Sequence, residues 1–277
     1  MKMVQYYPCK NARRGLEVWV EMFHELISIK ELIWRLFIRN LKGKYKQSLL
    51  GVTWAVIMPF VVIGSFVFLR SAGVMDLGET PVPYPLYALV GLTFWQIFAT
   101  SMVVLTNSMV SSGNVISKIN FPKKAIVIAS LAEVIFEFVI KIILVVIAFL
   151  IYQESISWYI VFLPIAIIPL FLFSLALGYQ LALLNAIIRD VANIVTIGTT
   201  FLLFLVPVLY VPKKTGLIGL INEINPLSNF VCFLRNLVFG GELLIENYLI
   251  TSVISILIFL ISWRVFHIIE PKIAEKV

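Results

Sequence analysis

Three ionisable side chains lie inside one long apolar stretch and are the first candidates for chemistry. Glu133, Glu137 and Lys141 are spaced four residues apart within residues 125–152. On a helix this spacing places all three on one face, with Glu137 and Lys141 in the favoured acid-first order. Ionisable groups within spans often mark ion-coupled transport, so one interpretation is a charge relay or a subunit contact. We favour a partly self-neutralised row that faces another helix, because a proton relay would draw carboxylates from several helices.

The other residues that could catalyse a reaction are too scattered to form a site. His24 and His267 are far apart, and the cysteine spacing matches no metal motif. Gly73 and Gly78 have the spacing of a phosphate-binding loop, but Glu79 follows where that loop needs lysine. The sequence therefore predicts no catalytic site, no metal and no bound cofactor. The energy for any active transport would come from another chain or from an ion gradient.

The composition indicates the environment in which these residues lie. The chain is 61% hydrophobic and 13% charged, whereas soluble domains are about 45–50% apolar and about 25% charged. This predicts an integral membrane protein. The net charge of +7 argues little for nucleic acid, because the cations flank apolar runs and so fit membrane topology and anionic headgroups. We expect no cleavable signal in residues 1–14, and no disulfide between Cys9 and Cys232.

The N-terminal region is polar on one side and apolar on the other. Residues 16–37 carry large apolar side chains at helical spacing and charged residues between them. This pattern predicts an amphipathic helix in the membrane interface, with packing on a soluble partner as the alternative. A basic run then precedes the first span and indicates a cytoplasmic anchor, a topology signal or both; it consists of Arg35, Arg39, Lys42, Lys44 and Lys46.

We predict an all-α integral membrane fold with an N-terminal segment (1–51), a six-helix transmembrane domain (52–267) and a short tail (268–277). The predicted spans follow from uncharged or nearly uncharged runs of sufficient length; they are residues 52–70, 86–110, 125–152, 158–188, 191–211 and 247–265. Pro164 and Pro169 favour a break near the start of the fourth span. Residues 212–246 hold two apolar segments too short to cross, which indicates two re-entrant or interfacial helices.

The distribution of lysine and arginine predicts the orientation. Seventeen of the 22 such residues fall on the side of the two termini, and three fall on the other side. Because cytoplasmic loops carry the excess of positive charge, we expect both termini in the cytoplasm of a bacterial inner-membrane protein. The loop 111–124 then also faces the cytoplasm. A full crossing by residues 212–246 would move the C-terminal tail outside.

The loop 111–124 (SSGNVISKINFPKK) is short, polar and basic, with Gly113 and Asn114 as helix breakers and Pro122 as a stop. It connects two long spans on the side that is predicted to be cytoplasmic. Aromatic residues crowd the first two spans and could stack on sugar rings, although most such rings simply pack or lie at the interface; they include Trp54, Phe60, Phe66, Phe68, Tyr87, Phe94, Trp95 and Phe98.

An ordered set of segments along the whole chain resembles the permease subunit of type-2 ABC exporters for polysaccharides such as O-antigen, capsule and teichoic acid. These segments are RNLKGKYKQSLLGVTW (39–54), YPLYALVGLTFW (84–95), GNVISKINFPKK (113–124), LNAIIRD (184–190), PVLY (207–210) and NPL (225–227). No single segment is specific for this family, but the order and spacing of the six segments are.

The resemblance implies several further properties. The permease would be a homodimer above a separate ATPase dimer that binds ATP and Mg²⁺, and its substrate would be a glycan on a lipid carrier. The ATPase would contact the N-terminal helix and the loop, through Asn114, Ile116, Ser117, Lys118, Asn120 and Phe121. The channel would open between the first and fifth spans, and residues 212–246 would form an outer gate.

On this hypothesis the substrate path is lined by Trp54, Phe60, Tyr87, Phe94, Trp95 and Phe98, and a pyrophosphate meets Arg70 or Arg235 at the outer side. Arg70 could equally be a snorkelling residue at a span end. The alternatives are a related exporter of drugs or other lipids, and an ion-coupled carrier that would need no ATPase partner.

Overall fold

A computed structural model describes residues 17–46, 51, 53–73, 78–116, 121–212 and 215–273. These residues form helices joined by short connections, and they contain no strand. The helices are α1 (Glu17–Ser28), α2 (Lys30–Lys46), α3 (Thr53–Ser71), α4 (Tyr84–Ser111), α5 (Gly113–Ile116), α6 (Lys124–Tyr152), α7 (Leu163–Ala166), α8 (Ile168–Ile187), α9 (Val191–Leu205), α10 (Gly216–Ile224), α11 (Pro226–Phe239) and α12 (Ile245–Ile273), with a 3₁₀ turn at Trp158–Phe162 before α7.

Four stretches in the described part of the chain are long and apolar enough to cross a membrane. They are α4, α6, the stretch Trp158–Ile187 and α12, and the number becomes five if α10 and α11 count as one bent span. Two shorter apolar helices, Val56–Ser71 within α3 and Val191–Leu205, bring the number of apolar elements close to the predicted one. The all-helical membrane fold is therefore confirmed in its coarse form.

Proline positions explain two irregularities of these helices. The stretch Trp158–Ile187, which is the fourth predicted span, consists of the 3₁₀ turn, α7 and α8, so the break that Pro164 and Pro169 predicted is present. The helix predicted for residues 191–211 instead ends at Leu205. Val206 is extended at φ −92° and ψ 136°, because the residue before a proline, here Pro207, is disfavoured in the helical region.

The segment between α9 and α12 contains two short helices set at a sharp angle. The axes of α10 and α11 differ by 84°. Asn225 sits at the bend, where its side-chain oxygen accepts the N–H of Leu227 at 3.0 Å and caps α11. Gly240, with φ 76°, ends α11 in the left-handed conformation that glycine adopts readily.

The core is organised around α4, which packs against α8, α6, α9, α11 and α3. Most of α4 is buried, whereas much of α6 is exposed at the outside of the bundle. Two glycines allow close approach. A Cβ at Gly91 would lie 2.3 Å from the carbonyl oxygen of Val208, and one at Gly178 would lie 2.3 Å from Leu105 Cδ1. Small residues serve this purpose at helix contacts in membranes.

The N-terminal region is divided into two helices, whereas the sequence predicted one helix over residues 16–37. The break falls at Ile29, and α2 continues to Lys46. The two helices pack on different partners: Trp19 of α1 contacts Trp263 of α12 edge-to-face at 6.0 Å, and Phe37 of α2 contacts Phe136 of α6 at 6.4 Å.

The C-terminal helix is longer than predicted, because α12 continues to Ile273 through the first part of the predicted tail. Several predicted features lie outside the described residues. These are residues 1–14 with Cys9, and Ser117, Lys118 and Asn120 of the loop.

Candidate coupling site and substrate path

The loop between α4 and α6 carries the residues predicted to meet an ATPase. Asn114 and Ile116 lie in α5, a single turn whose last N–H, from Ile116, donates to the Ser112 carbonyl at 3.0 Å. Ile116 and Phe121 are both buried, in one apolar cluster with Leu105 and Phe266. The two ends of the loop are thus packed into the bundle, while the interval between them contains the three predicted residues that lie outside the described structure.

The end of this loop is held by a group of charged side chains that we call the Lys124 cluster: Glu25, Lys124, His267 and Glu270. The Lys124 ammonium donates to a Glu25 carboxylate oxygen and lies 3.4 Å from Nδ1 of His267. The Glu270 carboxylate accepts the backbone N–H of Lys123. The cluster therefore joins the start of α6 to α1 and to the end of α12.

Burial makes the pairing within the Lys124 cluster energetically important. Lys124 is fully buried, and Glu270 is 4% exposed. A buried charge is costly unless it is paired and hydrogen-bonded. A displacement of the loop end therefore acts on three helices together, because separating any one of them would leave a buried charge unpaired.

Lys123, next to this cluster, is held against the loop itself. Its ammonium donates to the Phe121 carbonyl at 2.9 Å and lies 5.0 Å from the centre of the Phe121 ring. Burial lowers the pKa of Lys123, and the charge of Glu270 partly opposes this effect. At the other end of the loop, Arg39 of α2 donates to the Ser112 hydroxyl at 3.1 Å.

A second group, the Lys44 cluster, comprises Asn40, Lys44, Glu133, Glu137 and Lys141. Asn40 donates to Glu133 at 2.6 Å, the Lys44 ammonium donates to Glu137, and the Lys141 ammonium lies 3.9 Å from the other Glu137 oxygen. The row on α6 thus faces α2 and neutralises itself in part, which confirms the interpretation favoured from the sequence.

Charge and burial shift the pKa of Lys44 in opposite directions. Burial alone would lower its pKa, but the hydrogen bond to Glu137 and the charge of that carboxylate raise the pKa above the ordinary lysine value. Lys44 is therefore protonated at neutral pH and attaches α2 to α6 through an ion pair.

A cavity of about 280 Å³ lies beside the Lys44 cluster, between α2, α3, α4 and α6. Its walls are polar as well as apolar, and ionisable groups at such depth are uncommon in membrane proteins; the walls include Lys44, Trp54, Gln96, Thr100, Glu137 and Lys141. Among the described residues, no group of three or more His, Cys, Asp or Glu side chains has an arrangement suited to a metal ion.

The aromatic residues predicted for a substrate path fall into two groups. Trp54 and Phe60, both on α3, are about half exposed. The second group is buried within the bundle and consists of Tyr87, Phe94, Trp95 and Phe98. Phe98, for example, stacks on Phe173 of α8 with ring centres 6.0 Å apart. Their place in a substrate path stays a prediction, and in this conformation the second group acts as core packing.

The two arginines predicted near the outer side also differ. Arg70, at the end of α3, is partly exposed and lies 5.0 Å from the centre of the Tyr84 ring. Arg235 is 2% exposed, lies 4.1 Å from the centre of the Tyr87 ring and donates to the Pro207 carbonyl at 2.9 Å. Arg235 therefore ties α11 to α4 and to the chain that follows α9.

Sequence reasoning missed the Lys124 cluster and the cavity. It treated His24 and His267 as isolated, whereas His267 meets Lys124 and lies 3.8 Å from Glu25. The available signal was the presence of His267 and Glu270 at the end of an apolar span, since ionisable residues there need partners.

Most of the chain matches one family of membrane proteins. The model of the ABC-2 type transporter family matches residues 31–239, which include the loop, the charged residues of α2 and α6, and the bent pair α10–α11. The chain belongs to the ABC-2 type transporter family. It is therefore related to the membrane-embedded permease subunits of ABC transporters.

Curated relatives are similar along nearly their whole length. An O-antigen export system permease protein RfbA from Klebsiella pneumoniae is 26% identical, over 92% of this chain and 98% of the relative. A protein of the same name from Myxococcus xanthus is 24% identical, over 93% of this chain and 100% of the relative. The similarity thus extends through most of the chain and is not confined to one segment.

Proposed function

We propose that the chain is the transmembrane permease subunit of an ATP-driven exporter, which moves a lipid-linked, O-antigen-like polysaccharide across the bacterial cytoplasmic membrane. The observation that carries this proposal is the nearly full-length similarity to O-antigen export permeases from two different bacteria. The family match and the set of long apolar helices support the same assignment. ATP and Mg²⁺ would bind to a separate subunit.

In the proposed topology, α3, α4, α6, α7–α8, α9 and α12 cross the membrane, and both termini are cytoplasmic. The 17-to-3 distribution of lysine and arginine supports this orientation. α10 and α11 would form a re-entrant pair at the outer side, since their 84° bend and their lengths of 9 and 14 residues suit entry and return better than a crossing.

We further propose a homodimer whose channel lies between α3 and α9 of the two protomers. Both helices expose apolar side chains: Met58, Phe60 and Val61 on α3, and Ile194, Ile197 and Phe201 on α9. These helices also pack against fewer neighbouring helices than α4 does, so they are well suited to move. Trp54 and Phe60 would then face the sugar chain.

The ATPase dimer would act on the loop between α4 and α6. The Lys124 cluster supports this assignment, because it connects the end of that loop to α1 and α12. Arg39 connects the beginning of the loop to α2. A movement of the loop would thereby reach both N-terminal helices and three spans. At the outer side, the partly exposed Arg70 is better placed than the buried Arg235 to meet a pyrophosphate.

Deletion of the gene tests the function directly. We expect the deletion strain to lack long polysaccharide at the cell surface and to retain lipid-linked glycan inside, and the wild-type gene should restore export. Surface labelling and extraction of the lipid-linked pool measure both quantities. Unchanged surface polysaccharide in the deletion strain would exclude the proposed substrate.

Replacement of residues 116–118 by Gly-Ser residues tests the coupling role of the loop. We expect export and ATPase association to be lost while the protein still reaches the membrane. A replacement of equal length at residues 154–156, in the turn on the other side, is the matched control and should retain both. The coupling assignment is wrong if the loop variant still binds the ATPase and exports.

A further inference from the structure

The cavity beside the Lys44 cluster contains polar groups whose bonding capacity is unused. Lys141 is 7% exposed, and its ammonium has three donors. Its ion-pair partner in the described structure, a Glu137 oxygen at 3.9 Å, is beyond hydrogen-bond distance. The side-chain oxygen of Gln96, an acceptor that would need a donor such as a headgroup hydroxyl, is buried and also has no hydrogen-bond partner in the described part of the chain. Buried polar groups normally have such partners.

The charges around the cavity are unequal in number. Two ammonium groups, from Lys44 and Lys141, line it together with one carboxylate, from Glu137. The second carboxylate of the row, Glu133, is bound by Asn40 at 2.6 Å and is not part of the lining. Since Glu137 already accepts a hydrogen bond from Lys44, an additional anion would neutralise the remaining positive charge at Lys141.

The position of the cavity indicates where such an anion would come from. Trp54 and Met58, in the first turns of α3, line it, while Arg70 lies at the opposite end of that helix. The 19 residues of α3 rise about 28 Å, close to the roughly 30 Å of a bilayer's hydrocarbon core. The cavity therefore reaches one membrane boundary, near the level of lipid phosphates, and extends inward to Gln96 and Lys141, which lie near the middle of α4 and α6.

We propose that this cavity binds an anionic phosphate group at the cytoplasmic membrane boundary, held by Lys44 and Lys141. Its cytoplasmic position rests on the topology in the proposed function, whereas the binding site itself is independent of that topology. A group bound there would contact α2, α3, α4 and α6 at once. It would thereby hold α3, the first span, against the rest of the bundle.

The test measures binding to the purified full-length chain in neutral detergent, without the ATPase and without export. The probes are phosphatidylglycerol, a neutral diacyl glycolipid that lacks phosphate, and inorganic pyrophosphate. Retained lipid is counted by native mass spectrometry across a titration. We expect phosphatidylglycerol to bind and the neutral glycolipid not to bind. Failure of export would leave this result intact, and failure of binding would leave the transport assignment intact.

Substitutions that are expected to change phosphatidylglycerol binding in opposite directions separate a binding role of the cluster from a purely structural one. Lys141→Gln and Lys44→Gln should each weaken phosphatidylglycerol binding about fivefold, as expected for one cation near an anionic group. Glu137→Gln should strengthen binding, because it frees both ammonium groups. Arg189→Gln, an exposed change in the connection between α8 and α9 and outside the cavity, is the control and should bind as the wild type does. Lys141→Arg, which keeps the charge, should restore binding if Lys141→Gln folds poorly.

Competition between pyrophosphate and phosphatidylglycerol identifies the source of the anion. Displacement of phosphatidylglycerol by pyrophosphate would show that the site accepts a free anion, and resistance to displacement would show that it requires a lipid-borne phosphate; both results support a phosphate site. The proposal is overturned if Glu137→Gln weakens binding as the lysine substitutions do, if Arg189→Gln weakens it equally, or if the neutral glycolipid binds as well as phosphatidylglycerol.

Discussion

The Lys124 and Lys44 clusters both attach N-terminal helices to the transmembrane bundle, but they differ in how completely their charges are paired. In the Lys124 cluster, Lys124 is fully buried and meets both Glu25 and His267. In the Lys44 cluster, Lys44 is 41% exposed at its side chain, and Lys141 lines a cavity without a hydrogen bond to the described residues.

Similar residue types therefore serve different purposes in the two clusters. The Lys124 cluster is closed, in that its charges are paired with one another. It stabilises one arrangement of the helices, since opening it would separate charges in an apolar interior. The Lys44 cluster is open in this sense: it tolerates substitution better, and its unused hydrogen-bonding groups remain available to a ligand. The closed cluster lies beside the loop that we propose as the ATPase contact, where rigid transmission of movement is useful.

The greatest loss of stability should come from removing the central cation of the closed cluster. Lys124→Met should lower the free energy of unfolding by about 3 kcal/mol, because it removes the fully buried ammonium that pairs with Glu25, whose side chain is only 14% exposed. Thermal unfolding of the purified protein in detergent measures this loss. Lys42→Met, an exposed lysine on α2, is the control, and an equal small shift in both variants would show that the cluster is not closed.

A smaller effect should follow from neutralising Glu270, whose carboxylate accepts the Lys123 N–H. Burial raises the pKa of the Glu270 carboxyl to about 7, so its charge is only partly present at neutral pH. Glu270→Gln retains the shape and one acceptor, and we expect a loss of about 1.5 kcal/mol, the upper end of the range for an ordinary hydrogen bond. Because this bond fixes the loop end, ATPase activity in the complex should become less dependent on substrate. Wild-type stability together with wild-type coupling would contradict the role assigned to Glu270.

In the open cluster, Lys44→Met should cost only about 1 kcal/mol, because its ion pair with Glu137 is partly exposed and therefore partly screened by solvent and salt. The same thermal measurement applies, and the loss should shrink as salt is added. A loss as large as that of Lys124→Met would remove the contrast between the two clusters.

The pH dependence of the open cluster should be the weakest signal. The pKa of Lys44 is raised in the folded protein, so its stabilising contribution is complete below the ordinary lysine pKa and disappears as pH rises through the raised value. We expect the difference in stability between the wild type and Lys44→Met to stay constant near neutral pH and to decline only in strongly alkaline solution; Glu270, whose pKa burial raises to about 7, titrates in both proteins and cancels in this difference. Lys44→Arg, which stays charged there, should lessen that decline. A decline already present just above neutral pH would exclude this origin.

Much of the fold could be predicted because membrane-spanning helices are specified by contiguous sequence. The starts and ends of α3, α4 and α6 fall within two residues of the predicted spans, since each span is a continuous apolar run. The break before α8 was predictable from Pro164 and Pro169, because proline interrupts a helix and is visible in the local sequence. The early end of α9 at Leu205 was not predicted, although Pro207 gave the signal.

The candidate site was less predictable, because it depends on which helix faces meet. The loop 111–124 was found from its polarity and position. The aromatic residues could not be separated in the sequence: Trp54 and Trp95 belong to similarly apolar helices, yet the first is half exposed and the second is buried. Only the central position of α4 among its neighbours explains this difference.

Contiguous residues were enough to establish a helical membrane protein, the positions of its long apolar helices, and the basic loop 111–124. Hydrophobic length and charge excess suffice for these conclusions, because both are local properties of the chain. The contacts of Lys44 with Glu137, 93 residues away, and of Lys123 with Glu270, 147 residues away, became visible only in the folded molecule. A charge in an apolar interior must find a partner, but nothing in the local sequence states which distant helix will supply it.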